Sequence, residues 1–135
     1  MKVEEFMTPR VESIDADESV YDAIERMVNK RLRSLLVRPR NKNRKDYGVI
    51  TARDVVFRVL SKGLDPAKVK VSEISSRPLR CVDKEVDLVD VATLMEQHNI
   101  ARVFVCEDER LVGLVSLLDV MSATIIERAR KGYAT

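Results

Sequence analysis

The chain is poor in the residues that most often carry chemistry. It has two cysteines and one histidine in 135 residues, and aromatics make up 4%. Two thiols are too few for the disulfide framework that staples small secreted domains, and the polar, acidic start Met1-Lys2-Val3-Glu4-Glu5 is unlike an export signal. Both features point to a reducing cytoplasm, with Cys81 and Cys106 as inert thiols at apolar, strand-like positions. His98 has no Cys, Asp or Glu at metal spacing, so it reads as a polar helix end rather than a ligand. No apolar run approaches the roughly 20 residues of a membrane span. The one dense basic stretch, Arg38 to Lys45, has no interleaved aromatics and reads as a solvated loop before it reads as a nucleic-acid surface. No nucleophile–base pair, metal set or phosphate loop can be assembled, so no catalytic residue is assigned and an enzyme is the least expected class.

What the chain does have is an ordinary globular balance, 45% apolar and 34% charged, with a net charge of +2. The charge is uneven. Residues 1–70 carry 16 Lys and Arg against 11 Asp and Glu, and residues 71–135 carry 8 against 11. That imbalance is too small to imply a polyanionic partner by itself.

The sequence is organised by a motif that occurs twice. Gly48-Val49-Ile50-Thr51-Ala52-Arg53-Asp54 is echoed by Gly113-Leu114-Val115-Ser116-Leu117-Leu118-Asp119. Each is a glycine, two apolar residues that read as a short strand, a hydroxyl at a helix N-cap, and a carboxylate three residues into that helix. The flanks repeat too. Ser19 and Asp22 cap a helix with the stripe Val20, Ala23, Ile24, Met27 and Val28; sixty-eight residues on, Asp87 and Asp90 stand at the same cap positions of a helix with the stripe Leu88, Val91, Ala92 and Met95. Leu35-Leu36-Val37 corresponds to Val103-Phe104-Val105, and Val3-Glu4-Glu5-Phe6 to Val71-Ser72-Glu73-Ile74. The spacing falls to 65 at the second glycine, because the polar connection after the middle strand is three residues shorter in the second copy. The pattern predicts an α/β (α+β) fold of two strand–helix–strand–strand–helix repeats, residues 1–63 and 71–135, joined by a linker over 64–70. Each copy alone buries little, so a core shared by the two about a pseudo-two-fold axis is expected.

This double repeat resembles the cystathionine-β-synthase (CBS) domain pair, or Bateman module. The resemblance rests on Met7-Thr8-Pro9, Val20-x-x-Ala23-x-x-x-Met27, Leu32-Arg33-Ser34-Leu35-Leu36-Val37, Asn99-Ile100-Ala101-Arg102-Val103 and both Gly-h-h-[ST]-x-x-Asp motifs, where h is apolar. It spans nearly the whole chain, from about Val3 to Ile126. Ser75-Ser76-Arg77-Pro78 replaces Met-Thr-Pro in the second copy, and Ser34 stands where the second copy has Arg102, so two unequal sites are expected.

Elementary chemistry and the resemblance meet at the motif. A helix N-terminus favours an anion, and a bare glycine lets another group approach the backbone. A carboxylate can accept both hydrogen bonds of a cis-diol. The resemblance implies an adenosine-containing ligand (AMP, ADP, ATP or S-adenosylmethionine type) in the cleft between the repeats. Asp54 and Asp119 would meet ribose hydroxyls, and Thr51 and Ser116 ribose or phosphate. Ile14, Leu35, Val82 and Val103 would wall the adenine, Arg102 would bind phosphate, and Arg33 and Arg53 are lesser candidates. It also implies a homodimer formed through exposed helix faces, and an effector protein that responds to occupancy. Two alternatives remain at this level. The hydroxyl–carboxylate pairs are also ordinary capping boxes that need no ligand, which would leave a structural or interaction module. The second is nucleic-acid binding through loop 38–45.

Overall fold

The computed structural model describes residues 1–9, 11–41, 47–76, 79–108 and 110–132. The first repeat supplies β1 (Ser13–Asp15), α1 (Val20–Lys30), β2 (Ser34–Arg38), β3 (Gly48–Thr51) and α2 (Ala52–Arg58). A short helix α3 (Val71–Ile74) opens the second repeat, followed by β4 (Cys81–Asp83), α4 (Leu88–His98), β5 (Arg102–Glu107), β6 (Arg110–Ser116) and α5 (Leu117–Arg130). Each repeat thus has the expected strand–helix–strand–strand–helix order. Two three-stranded sheets result, β1-β2-β3 and β4-β5-β6, each with one parallel and one antiparallel pairing.

The helices begin where their caps place them. The Ser19 hydroxyl accepts from the Asp22 amide at 3.1 Å while the Asp22 carboxylate accepts from the Ser19 amide at 3.3 Å, a closed capping box. α1 and α4 end on Arg31 and Asn99, residues 68 apart, both in the left-handed region at φ 55° and 51°. Asn tolerates that region well, whereas Arg occupies it at a cost. The apolar stripes face inward at Val20, Ala23, Met27, Val91 and Met95, but Val28 is exposed. α2 is shorter than its stripe suggests and gives way to a 3-10 turn at Leu60–Lys62, closed by Gly63 at φ +68°. Val55 and Val59 are buried, while Val56 and Leu60 face out.

The chain packs as two compact units whose limits cross those of the repeats: Met1–Val11 with Arg80–Thr135, and Glu12–Leu79. Each has its own core, so the expectation of one shared core is corrected. One core gathers Ile14, Val20, Leu35, Ile50, Val55 and Val59 with Val71 and Ile74 from the start of the second repeat. The other gathers Val91, Met95, Val103, Val105 and Val115 with Val3 from the start of the first.

The physical reason is a reciprocal exchange. Each repeat is completed by the apolar turn that precedes the other, and the exchanged turns make the same bonds. Val3 N–H donates to the Val86 carbonyl at 2.8 Å and Glu4 N–H to Lys84 at 3.0 Å; sixty-eight residues on, Val71 N–H donates to Glu18 at 2.9 Å and Ser72 N–H to Ala16 at 3.0 Å. Thr8 and Leu114 exchange two backbone bonds at 2.7 and 2.8 Å, as Ser76 and Val49 do at 2.9 Å.

The two cysteines are the second correction. They are not free thiols but a disulfide, with Cα atoms 5.7 Å apart, a separation ordinary for a bridge. Parallel pairing of β4 with β5 sets Cys81 opposite Phe104 and Asp83 opposite Cys106, so the two thiols fall two register positions apart on neighbouring strands. Sequence spacing alone could not reveal that pairing. Met27 and Met95 are core residues, as their stripes predict, and Met121 on α5 is 65% exposed.

Candidate functional site

In the unit built from Met1–Val11 and Arg80–Thr135, β6 runs straight into α5. Ser116 is the extended residue at the junction (φ −104°, ψ 170°). Its hydroxyl accepts from the Asp119 amide at 3.2 Å, and Asp119 Oδ2 accepts from the Ser116 amide at 2.8 Å and from the Ser116 hydroxyl at 3.0 Å. The Thr8 hydroxyl also donates to Asp119 Oδ2, at 3.4 Å. The three bonds that the Asp119 carboxylate accepts all fall on Oδ2, and among the described residues Asp119 Oδ1 accepts none. Arg102 pairs across the ladder with Ser116, so the register sets the expected phosphate ligand beside the hydroxyl. Both residues, like Asp119, are half-buried.

Glu12–Leu79 repeats the junction with poorer equipment. Thr51 caps α2, accepting from the Asp54 amide at 3.1 Å, while Asp54 Oδ2 accepts from the Thr51 amide at 3.0 Å. Asp54 Oδ1 is likewise unengaged among the described residues. Here the cross-ladder partner of Thr51 is Ser34, not an arginine. Arg53 stacks on Phe57, its guanidinium carbon 4.7 Å from the ring centroid, which commits it elsewhere. Arg33 is exposed, and its carbonyl accepts from the Ala52 amide at 2.9 Å. α2 has 7 residues against 14 in α5, so its terminal partial charge is the smaller.

The expected apolar walls divide. Ile14 and Val103 are 0% exposed and Leu35 is 1% exposed; they sit within the cores and support the sheets rather than present a face. Val82 is half-buried and keeps surface. Gly113 is the close-approach point that its sequence suggested, but the approaching group belongs to the chain itself. A Cβ there would strike the Met7 side chain and lie 3.1 Å from the Thr8 carbonyl oxygen. Thr8 is the site residue that sequence reasoning missed. The available signal was a hydroxyl at matching positions, Thr8 in Met7-Thr8-Pro9 and Ser76 in Ser75-Ser76-Arg77-Pro78.

In the basic loop, Arg38 pairs with Asp15 at 3.0 Å and Arg40 with Asp17 at 2.8 Å. Lys42, Arg44 and Lys45 lie outside the described residues. Among the described residues no cluster of three metal-capable side chains occurs, and no helix is long and apolar enough to cross a membrane.

With this geometry in view, the CBS domain model matches residues 3–61 and 71–125, nearly the full length of both repeats. The chain belongs to the CBS domain family. It is 34% identical over 74 residues to Hypoxic response protein 1 of Mycobacterium tuberculosis, covering 55% of this chain and 52% of that protein. It is 28% identical over 117 residues to the CBS domain-containing protein YhcV of Bacillus subtilis, covering 87% of this chain and 81% of YhcV. Among solved structures, a hexameric CBS-CP12 protein from bloom-forming cyanobacteria superposes with a TM-score of 0.85 at 33% identity, covering 95% of this chain and 74% of that one. The chain spans about half the length of several curated relatives, the mycobacterial protein included. CBS domain pairs are generally regulatory rather than catalytic.

Proposed function

We propose that this CBS pair is a regulatory, non-catalytic module that binds an adenosine-containing ligand of the AMP, ADP, ATP or S-adenosylmethionine type, foremost at the β6–α5 junction. The observation that carries the reading is the division of labour within Asp119. Oδ2 closes the cap, while Oδ1, held in place by that cap, remains an acceptor for a diol. Ser116 and Arg102 stand beside it, and Val82 supplies apolar surface on the same sheet. The phosphate belongs at Arg102 rather than over Asp119, because two anions repel. The Thr51–Asp54 junction is the lesser site, since it has Ser34 in place of the arginine. Binding favours one conformation over another by the difference in affinity between them, and an effector protein reads that population.

The exposed stripe Leu118, Met121 and Ile125 on α5, 68%, 65% and 67% accessible, supports self-association as a homodimer or higher assembly. The cyanobacterial relative is hexameric. Cytoplasmic residence is part of the same reading.

Calorimetric titration with AMP, ADP, ATP and S-adenosylmethionine tests the proposal, with Asp119→Ala and Asp54→Ala beside the parent chain. The expected result is sub-millimolar binding of at least one ligand, lost chiefly in Asp119→Ala. Absence of binding for all four leaves the interaction-module reading, which the self-sufficient capping boxes favour. Nucleic-acid binding has less support, because Arg38 and Arg40 already pair with carboxylates.

A further inference from the structure

The bridge between Cys81 and Cys106 lies outside the proposed ligand contacts. β4 is the outer strand of its sheet, three residues long, and pairs with β5 alone among the described residues. It begins one residue after the chain leaves one compact unit at Leu79 and enters the other at Arg80. Backbone attachment there is thin. Phe104 N–H donates to the Arg80 carbonyl at 3.2 Å, and the ladder beyond runs only to Asp83. The far end has its own fastening, Lys84 Nζ to Glu107 Oε1 at 2.9 Å. The near end has the disulfide. The two cysteines are unequal in exposure: Cys81 is exposed, whereas Cys106 is 8% exposed beside a register shift in β5.

We propose that Cys81–Cys106 is a redox-cleavable tie that fixes the start of β4, and that a dithiol reductant opens it from the Cys81 side. A thiolate of the dithiol attacks Cys81 Sγ. The S–S bond breaks, its electron pair leaves on Cys106 Sγ, and that sulfur takes a proton from solvent. The second thiol of the reductant attacks the mixed disulfide and releases Cys81 as a thiolate, which is protonated in turn. The dithiol leaves as a disulfide and the protein gains two electrons and two protons. The result is a β4 held at Lys84 but loose at Arg80 and Cys81. An exposed, short edge strand is the element of a sheet that opens most readily.

The test uses the full chain, air-oxidised or treated with dithiothreitol, together with the Cys81→Ser/Cys106→Ser double variant. Alkylation and intact mass count thiols, hydrogen exchange follows the Phe104 amide, and trypsin probes the bond after Arg80. Expected are no alkylated thiols in the oxidised chain and two after reduction. Exchange at Phe104 and cleavage after Arg80 should each be at least tenfold faster in the reduced chain, and equally fast in the double variant under either condition. Two free thiols after air oxidation would overturn the proposal. So would unchanged exchange and cleavage on reduction, or a double variant as protected as the oxidised parent. None of these outcomes depends on whether an adenosine ligand binds.

Discussion

Replacing Asp119 separates the two jobs assigned to it. Asp119→Ala removes the acceptor of the Ser116 amide and hydroxyl, bonds of 2.8 and 3.0 Å. Loss of a cap of this kind costs about 1 kcal/mol, which in a domain of 60–100 residues lowers Tm by roughly 4–8 °C. The effect on ligand is a different quantity. Hydrogen bonds from a diol to a charged oxygen are worth about 1.5–3 kcal/mol, so a net loss of about 2 kcal/mol raises Kd roughly 30-fold. At a ligand concentration of about 100 times the parent Kd, ligand stabilises the parent by about 2.7 kcal/mol; the same concentration stabilises the variant by only about 0.9 kcal/mol. Asp119→Asn retains an oxygen for the cap but not the charge. It should keep most of the stability and still lose about tenfold in affinity. Thermal melts with and without ligand read both terms from one preparation. If ligand stabilises Asp119→Ala as much as the parent, the carboxylate does not touch ligand and the division between Oδ1 and Oδ2 is wrong.

The exchanged turns give a crossed prediction. Val3→Ala should cost about 2 kcal/mol and loosen α4 and β5, whereas Val71→Ala should cost as much and loosen α1 and β2; hydrogen exchange that maps either loss onto the repeat containing the mutation refutes the exchange. Gly113→Ala should destabilise by about 1–3 kcal/mol through overlap with Met7 and Thr8, and adding Met7→Ala should recover most of it in a denaturant melt. The Glu5 carboxyl is held below its ordinary range, first by the Lys2 amide and then by Arg130, whose guanidinium lies 2.8 Å away. A depressed carboxylate stabilises above its unfolded pKa, and that stability fades as pH falls through the folded value. The parent should therefore exceed Glu5→Gln in Tm near pH 7 and match it near pH 2; a gap that persists in acid would assign the effect to packing.

The repeat, these three capping boxes and the order of elements were legible because each rests on local chemistry. Ser19 and Asp22, Thr51 and Asp54, and Ser116 and Asp119 are three residues apart, and a cap acts over three residues. What escaped depends on partners distant in sequence. Val3 reads as a turn residue until Val86 receives its amide, and Thr8 reads as the residue before a proline until its hydroxyl reaches Asp119, 111 positions away. The cysteines read as unconnected thiols until strand register brings them together across 25 residues. Burial was legible by periodicity at Val20 and Met27, whereas Ile14, Leu35 and Val103, expected to wall a ligand, lie within the cores. A strand residue that faces a core and one that faces a ligand have the same period of two.

That ambiguity also governs the motif. A hydroxyl three residues before a carboxylate reads as a cap or as a ligand grip, and the two roles do not exclude one another. The atoms do not compete. The cap consumes Oδ2 in both junctions and leaves Oδ1 to whatever comes. A free carboxylate on a flexible side chain must be ordered before it can receive a diol, and ordering has an entropic cost. At Asp119 the Ser116 amide, the Ser116 hydroxyl and the Thr8 hydroxyl have already fixed the side chain, so that cost is met on folding. At Asp54, among the described residues, only the Thr51 amide does so. The same argument that ranks Asp119 first therefore ranks Thr8 as a positioning residue. Thr8→Val should leave the Ser116 cap intact and yet weaken ligand, by less than Asp119→Ala does. Calorimetry that finds Thr8→Val equal to the parent would remove Thr8 from the site and leave Ser116 as the sole support of the carboxylate.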